Sequence, residues 1–237
     1  MRRVVSGLLI CALTLLSLLS CGEKNRTYDE GEVLAAARTL LPAAEALNEI
    51  YYGDGIRPDT ERTEEKNGVY YPALAEDLAR YSLSTVDELK ERTRATFSSS
   101  FSSLLFSTKL SSVSDGESIT SFSRFYQAYE GKGEDKKPTF FMVNSETKGL
   151  LTDKLTYDYG NLSVEGAEGQ TVYVTLSVVA ENEKGERATV SLRVGLMEEA
   201  DGWRIDTPTY ARYPLTKKDC GMLCIRHAYE SPRHFSL

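Results

Sequence analysis

The residues best suited to metal binding or disulfide chemistry sit together near the C-terminus: Cys220, Cys224, His227 and His234. A Cys-x-x-x-Cys followed three residues on by histidine would place Cys220, Cys224 and His227 on one helical face, with His234 as a distant fourth ligand. The same cysteines could close a local disulfide in an oxidising compartment. On a helix, however, residues four apart have Cα atoms about 6 Å apart and poorly aimed side chains, so a bridge between Cys220 and Cys224 calls for a non-helical turn. An ordinary exposed tail is the third reading, and no metal is assigned. These two histidines are the only ones in the chain. Residues 23–219 therefore lack Ser-His-Asp or Cys-His catalysis and histidine metal sites. What remains for acid–base work is a phenol and carboxylate set, Tyr157, Asp158, Tyr159 and Tyr173. Nothing in their spacing fixes a working pair, and strand tyrosines serve equally as cross-strand packing with the hydroxyl at the rim. No catalytic residue is assigned and no cofactor is implied.

Charge narrows the partners. The 237-residue chain carries a net charge of −7, and no stripe of Lys and Arg interleaved with aromatics breaks that acidity. Such a surface repels phosphate backbones, which argues against nucleic acid. Acidic runs such as residues 61–65 and Glu198-Glu199 read as solvated faces. With 41% hydrophobic residues, the chain can bury the core of one globular domain.

The elements that must position these residues are dominated by residues 170–207. Val172, Val174, Leu176 and Val178, then Ala188, Val190, Leu192, Val194 and Leu196, then Trp203 and Ile205 fall on every second position. Period two is the half-buried strand pattern, and the connections at 182–186 and Ala200-Asp201-Gly202 have hairpin chemistry. Three antiparallel strands are expected. A shift of phase between Tyr157, Tyr159 and Leu162, Val164 predicts a fourth strand with a bulge at Gly160-Asn161.

Earlier in the chain, Thr27 and Glu30 have capping-box spacing before an apolar stripe from Val33 to Tyr51. This predicts a helix kinked or split by Pro42 and ended by Gly53-Asp54-Gly55. Val69, Tyr70 and Tyr71 predict an edge strand stopped by Pro72. Ser84 or Thr85 caps a second helix, and Phe97, Phe101, Leu104 and Leu105 predict a short helix with a serine face. Further strand candidates lie around Phe125 and Phe141. The class is α+β, with N-terminal helices packed on a strongly curved antiparallel sheet.

The start of the chain reads as a secretory leader. Met1-Arg2-Arg3 is positive, residues 4–20 are uncharged, and Leu18-Leu19-Ser20-Cys21-Gly22 resembles the lipobox of bacterial lipoproteins. That resemblance implies a signal peptide over 1–20 and a lipidated Cys21 holding the protein on the extracytoplasmic face of the membrane. A tether over 21–26, one domain over 27–212 and an extension over 213–237 complete the expected organisation.

Trp203-Arg204-Ile205-Asp206-Thr207-Pro208-Thr209 resembles the last strand of extracytoplasmic NTF2-like domains, whose sheet forms an NTF2-like or cystatin-like cone. Three segments in order resemble the Firmicutes inhibitor family of cell-wall DL-endopeptidases. They are Leu41-Pro42 through Tyr51-Tyr52-Gly53-Asp54-Gly55, Val69-Tyr70-Tyr71-Pro72 with residues 84–90 and Phe97, and the terminal strand just quoted. The resemblance implies a binding protein that occupies the active-site cleft of an NlpC/P60-type endopeptidase. Tyr51, Tyr52 and Asp54 are then the candidate partner-binding loop, although the tyrosines fit equally well as the buried end of the first helix. The alternative it leaves open is an NTF2-like lipoprotein whose cone holds a small apolar ligand. An isomerase or hydratase of that fold would use the phenols and Asp158. The 213–237 extension lies outside the resemblance.

Overall fold

In the computed structural model, residues 27–110, 123–131, 135–147, 149, 151 and 153–211 are described. The leader, Cys21, the tether and the extension with Cys220, Cys224, His227 and His234 lie outside the described residues. No helix among the described residues is long and apolar enough to cross a membrane.

The period-two runs fold as expected. Strands β6 (Thr171–Glu181) and β7 (Arg187–Glu199) pair antiparallel, setting Val172 against Leu196, Val174 against Val194 and Leu176 against Leu192. β8 (Gly202–Ile205) returns along the far end of β7. β4 (Lys154–Tyr157) and β5 (Ser163–Glu168) both pair with β6, one near each end. The result is a strongly curved five-stranded sheet.

The bend between β4 and β5 is built differently from the expectation. A 3-10 turn, Tyr159–Asn161, occupies the Gly160-Asn161 position. The Asp158 carboxylate accepts hydrogen bonds from the Gly160 amide (3.1 Å) and the Asn161 side chain (2.6 Å). This local capping competes with the sheet ladder, and the register slip falls later, between Val164 and Gly166.

Helix α1 (Glu30–Tyr52) fills the curl of the sheet. Its N-cap is Asp29, whose carboxylate accepts from the Glu32 amide at 2.9 Å, two residues after the expected Thr27. The helix runs unbroken through Pro42. Pro42 and Arg38, whose carbonyl loses its donor, are both exposed, and a missing bond costs least on the solvent side. Val33, Ala37, Leu41, Ala44 and Leu47 are buried against the sheet side. At roughly 1.5–3 kcal/mol for each large aliphatic side chain, this stripe is a major part of the core. The Trp203 indole N–H donates to Glu32 at 3.1 Å, tying the last strand to the first turn of α1.

The remaining strands form a separate three-stranded sheet, where one continuous sheet was expected. β1 (Tyr70–Pro72), β3 (Lys137–Asn144) and β2 (Phe125–Glu130) pair antiparallel in the order β1-β3-β2. Asn144 ends β3 by accepting the Glu146 amide on its side chain (2.9 Å) and the Thr147 hydroxyl on its carbonyl (2.8 Å). That turn carries the chain out of the smaller sheet before β4 begins.

Three short helices bridge the sheets: α2 (Ala75–Arg80), α3 (Val86–Thr96) and α4 (Ser99–Lys109). Thr85 and Glu88 form the capping box of α3, and Ser98 caps α4 through the Phe101 amide. Phe101 and Leu105 are buried, whereas Leu104 faces solvent, so the apolar side of α4 is narrower than its sequence suggests. Parallel bridges Phe97↔Ile205 and Leu110↔Phe125 tie this helical layer to the large and small sheets.

Candidate functional site

The end of α1 meets the turn Gly53-Asp54-Gly55, the start of β4 and the end of α2 around an open cleft of about 410 Å³. The last turns of α1 offer it Glu45, Asn48 and Glu49, while Leu151, Leu155 and Tyr157 supply apolar lining opposite. Asn48 interrupts the buried stripe of α1, and its side chain donates to the Thr209 hydroxyl at 2.8 Å. The Tyr157 hydroxyl donates to the Thr209 carbonyl at 3.1 Å. The segment after β8 is thereby locked to both the helix and β4.

Each helix carboxylate holds a phenol. Glu45 accepts from the Tyr159 hydroxyl, and Glu49 accepts from the Tyr81 hydroxyl at 2.6 Å and from Arg80 at 3.0 Å. Tyr157 stacks on Tyr159, with ring centroids 5.8 Å apart. Burial first, then the adjoining carboxylates, push the Tyr81, Tyr157 and Tyr159 phenols above their usual range. These phenols stay protonated at neutral pH: Tyr159 and Tyr81 act as donors that fix Glu45 and Glu49, and Tyr157 donates to the Thr209 carbonyl.

The acid–base set proposed from sequence is divided by the fold. Tyr157 and Tyr159 lie together at the cleft. Asp158 is spent on its own turn, and Tyr173 lies beneath the Arg193 guanidinium, 3.4 Å from its ring centroid. Arg193 in turn pairs with Glu165 and Glu168. Among the described residues, no group of three His, Cys, Asp or Glu side chains is placed to hold a metal ion.

The partner-loop candidates also separate. Tyr51 is only 1% exposed, its hydroxyl is bonded to Thr93 at 2.8 Å and its ring packs near Phe125. It belongs to the core, which corrects its assignment as a contact residue. Tyr52 is half-buried, between the Tyr210 ring at 5.0 Å and the Lys109 ammonium at 4.8 Å. Asp54 is exposed at the cleft rim.

The turn carrying Asp54 is held firmly. The Gly53 and Gly55 amides both donate to the Glu49 carbonyl, at 3.1 and 3.0 Å, and Arg124 donates to the Gly53 carbonyl. The Leu151 amide donates to Tyr52 at 2.9 Å. A Cβ at Gly55 would sit 2.8 Å from the Glu49 carbonyl oxygen, and one at Gly149 would sit 2.7 Å from the Asp54 carboxylate. Close approach to backbone requires glycine at Gly55, whereas at Gly149 the nearest neighbour is the tip of the exposed Asp54 side chain.

Sequence reasoning missed Glu45, Asn48, Glu49, Arg80 and Tyr81. The one available signal was Asn48, a polar residue on the apolar stripe of α1. Comparison of the chain with protein-family models, with curated proteins and with solved structures returned no match.

Proposed function

We propose that this chain is an extracytoplasmic binding protein, anchored through lipid on Cys21, that inhibits peptidoglycan DL-endopeptidases of the NlpC/P60 type. It presents the Gly53-Asp54-Gly55 turn and the adjoining cleft to the enzyme and blocks substrate access; it carries out no reaction of its own. The observation that carries this reading is the turn itself: Asp54 is exposed while the backbone on either side is hydrogen-bonded to the end of α1 and to Arg124. A contact element ordered in advance loses little entropy on binding. The alternative of a small apolar ligand is less favoured, because α1 side chains fill the hollow of the large sheet and the cleft beside it is open and carries the charged side chains of Glu45, Glu49, Asp54, Arg80, Asp153 and Lys154.

The test uses soluble protein spanning 23–237, which keeps every described residue, with purified NlpC/P60-type endopeptidases acting on peptidoglycan. The expected result is a concentration-dependent loss of rate that Asp54→Asn weakens about tenfold or more, as for loss of one charge-assisted contact. Tyr51→Phe leaves the inhibition unchanged. Absence of inhibition at high micromolar concentration, against several such enzymes from the producing organism, overturns the proposal.

A further inference from the structure

Beside the 53–55 turn, two cations are held without an ion-pair partner among the described residues. Lys109 is the last residue of α4 and Arg124 directly precedes β2. The parallel bridge Leu110↔Phe125 pairs the very next residue of each chain, so Lys109 and Arg124 stand side by side on adjacent backbones. Arg124 is 6% exposed. Its Nη2 donates to the Gly53 carbonyl, while its Nε is buried with no acceptor among the described residues. The Lys109 ammonium lies over the Tyr52 ring.

Neither cation forms an ion pair with a described carboxylate, although Arg57, Arg62, Arg80, Lys90, Arg187, Arg193 and Arg204 all do. Other described cations, Arg38 and Lys184 among them, also lack one, but they are not buried; Arg124 is set apart by its burial. A buried donor without a partner and two adjacent like charges both oppose folding. Burial, and then the charge of Arg124, lowers the pKa of Lys109; burial lowers that of Arg124 against the opposing pull of Asp54. Buried, perturbed charges of this kind cluster at functional sites.

We propose that Lys109 and Arg124, beside the Tyr52 ring, form a receptor for one carboxylate group of a peptide ligand. Two cations with Asp54 nearby leave a single net positive charge, which matches a monoanion better than a phosphate dianion. A guanidinium and an ammonium provide the charge-assisted donors that a carboxylate accepts. The receptor is tested independently of the endopeptidase reading, since its donors are Lys109 and Arg124 and its ligand is of a different kind.

The test titrates the full chain, held in mild detergent at constant ionic strength, by calorimetry and by NMR. The probes are N-acetylglycine for a C-terminal carboxylate, the α-amide of N-acetylglutamate for a side-chain carboxylate, N-acetylglycinamide as the neutral control, and inorganic phosphate. At least one carboxylate probe binds and the neutral amide does not; which of the two binds more tightly identifies the source. Lys109→Gln, half-exposed at a helix end, weakens binding about tenfold or more while leaving the thermal transition in place. Arg124→Lys, which keeps the charge and loses the fork, weakens it as well. The proposal is overturned if carboxylate and amide probes behave alike, if phosphate binds as tightly as the carboxylates, or if both variants bind as the parent does. It is equally overturned if binding appears only after Asp115 and Glu117, in the intervening 111–122 sequence, are neutralised, because the counter-charge is then the chain's own.

Discussion

The hydrogen bond between Tyr51 and Thr93 allows a sharp test of where the core ends and the contact surface begins. The Thr93 hydroxyl has one proton, and it is spent on the Leu89 carbonyl at 2.7 Å. In the 2.8 Å contact between the two hydroxyls, Tyr51 must therefore be the donor and Thr93 the acceptor. Tyr51→Phe removes a donor and leaves only an unfilled lone pair, at a cost of about 0.5–1.5 kcal/mol. Thr93→Val keeps the shape of the side chain and strands the Tyr51 O–H in the core, a buried unsatisfied donor costing about 1–3 kcal/mol.

The asymmetry makes the pair non-additive. Once Tyr51→Phe has removed the donor, Thr93→Val strands no donor and loses only its own bond to the Leu89 carbonyl, so the double variant falls short of the sum of the single losses. Urea unfolding followed by Trp203, the single tryptophan of the chain, measures all three variants. For a domain of this size each kcal/mol also moves Tm by about 2–4 °C. Equal losses in the two single variants, or strict additivity in the double, refute the assigned donor direction and the burial argument built on it.

Two further outcomes follow from the same core and site. Tyr51, Tyr81, Tyr157 and Tyr159 are all held above their usual pKa, chiefly by burial. Because the folded values exceed an unfolded value of about 10, the fold binds more protons than the unfolded chain above that pH. Stability is therefore full below pH of about 10 and falls as pH rises beyond it; a Tyr157→Phe, Tyr159→Phe double variant shows a shallower fall in unfolding free energy, and an unchanged slope counts against it. Gly55→Ala drives a methyl group to 2.8 Å from the Glu49 carbonyl oxygen, where the neighbour is backbone and cannot swing aside. A loss of about 1–3 kcal/mol is expected in thermal unfolding, and a parent-like Tm refutes the close packing of the turn.

Elements governed by near neighbours in the chain were readable before the fold was known. The β6-β7-β8 meander announces itself through strict alternation and short hairpin turns, and the Thr85–Glu88 capping box needs only residues three apart. The N-cap of α1 was misplaced because Thr27 and Asp29 both precede an acidic residue at cap spacing, and the geometry favours Asp29. The division into two sheets was not readable, because β1 pairs with a strand more than sixty residues later, as in Tyr70↔Asn144. The cleft was hidden for the same reason, since its lining comes from α1, α2, the 53–55 turn and β4. The two tyrosines at the end of α1 show how fine the distinction is. Tyr51 continues the line of Ala44 and Leu47 and enters the core, while Tyr52, one position around the helix, stays half-buried beside Tyr210.

The way the core is assembled directs attention to this end of the molecule. The inner face of the large sheet is consumed by α1, and Arg193 on Tyr173 with its two glutamates covers part of the opposite face. At the C-terminal end of α1, segments distant in sequence interlock through side chains and single backbone bonds: Asn48 with Thr209, Tyr157 with Thr209, Tyr52 with Leu151, and Gly53 with Arg124. Loops usually carry function because a rigid scaffold presents them, and here the loops are also pinned to one another. Such cross-links leave little freedom to lose when a partner arrives. They also make the end of α1 sensitive to change, because the acidic cleft and the pair of cations share the backbone of the same three-residue turn. A substitution that moves Gly53-Asp54-Gly55 therefore disturbs the cleft and the cation pair together, whereas one confined to Glu45 or to Lys109 acts on one of them alone.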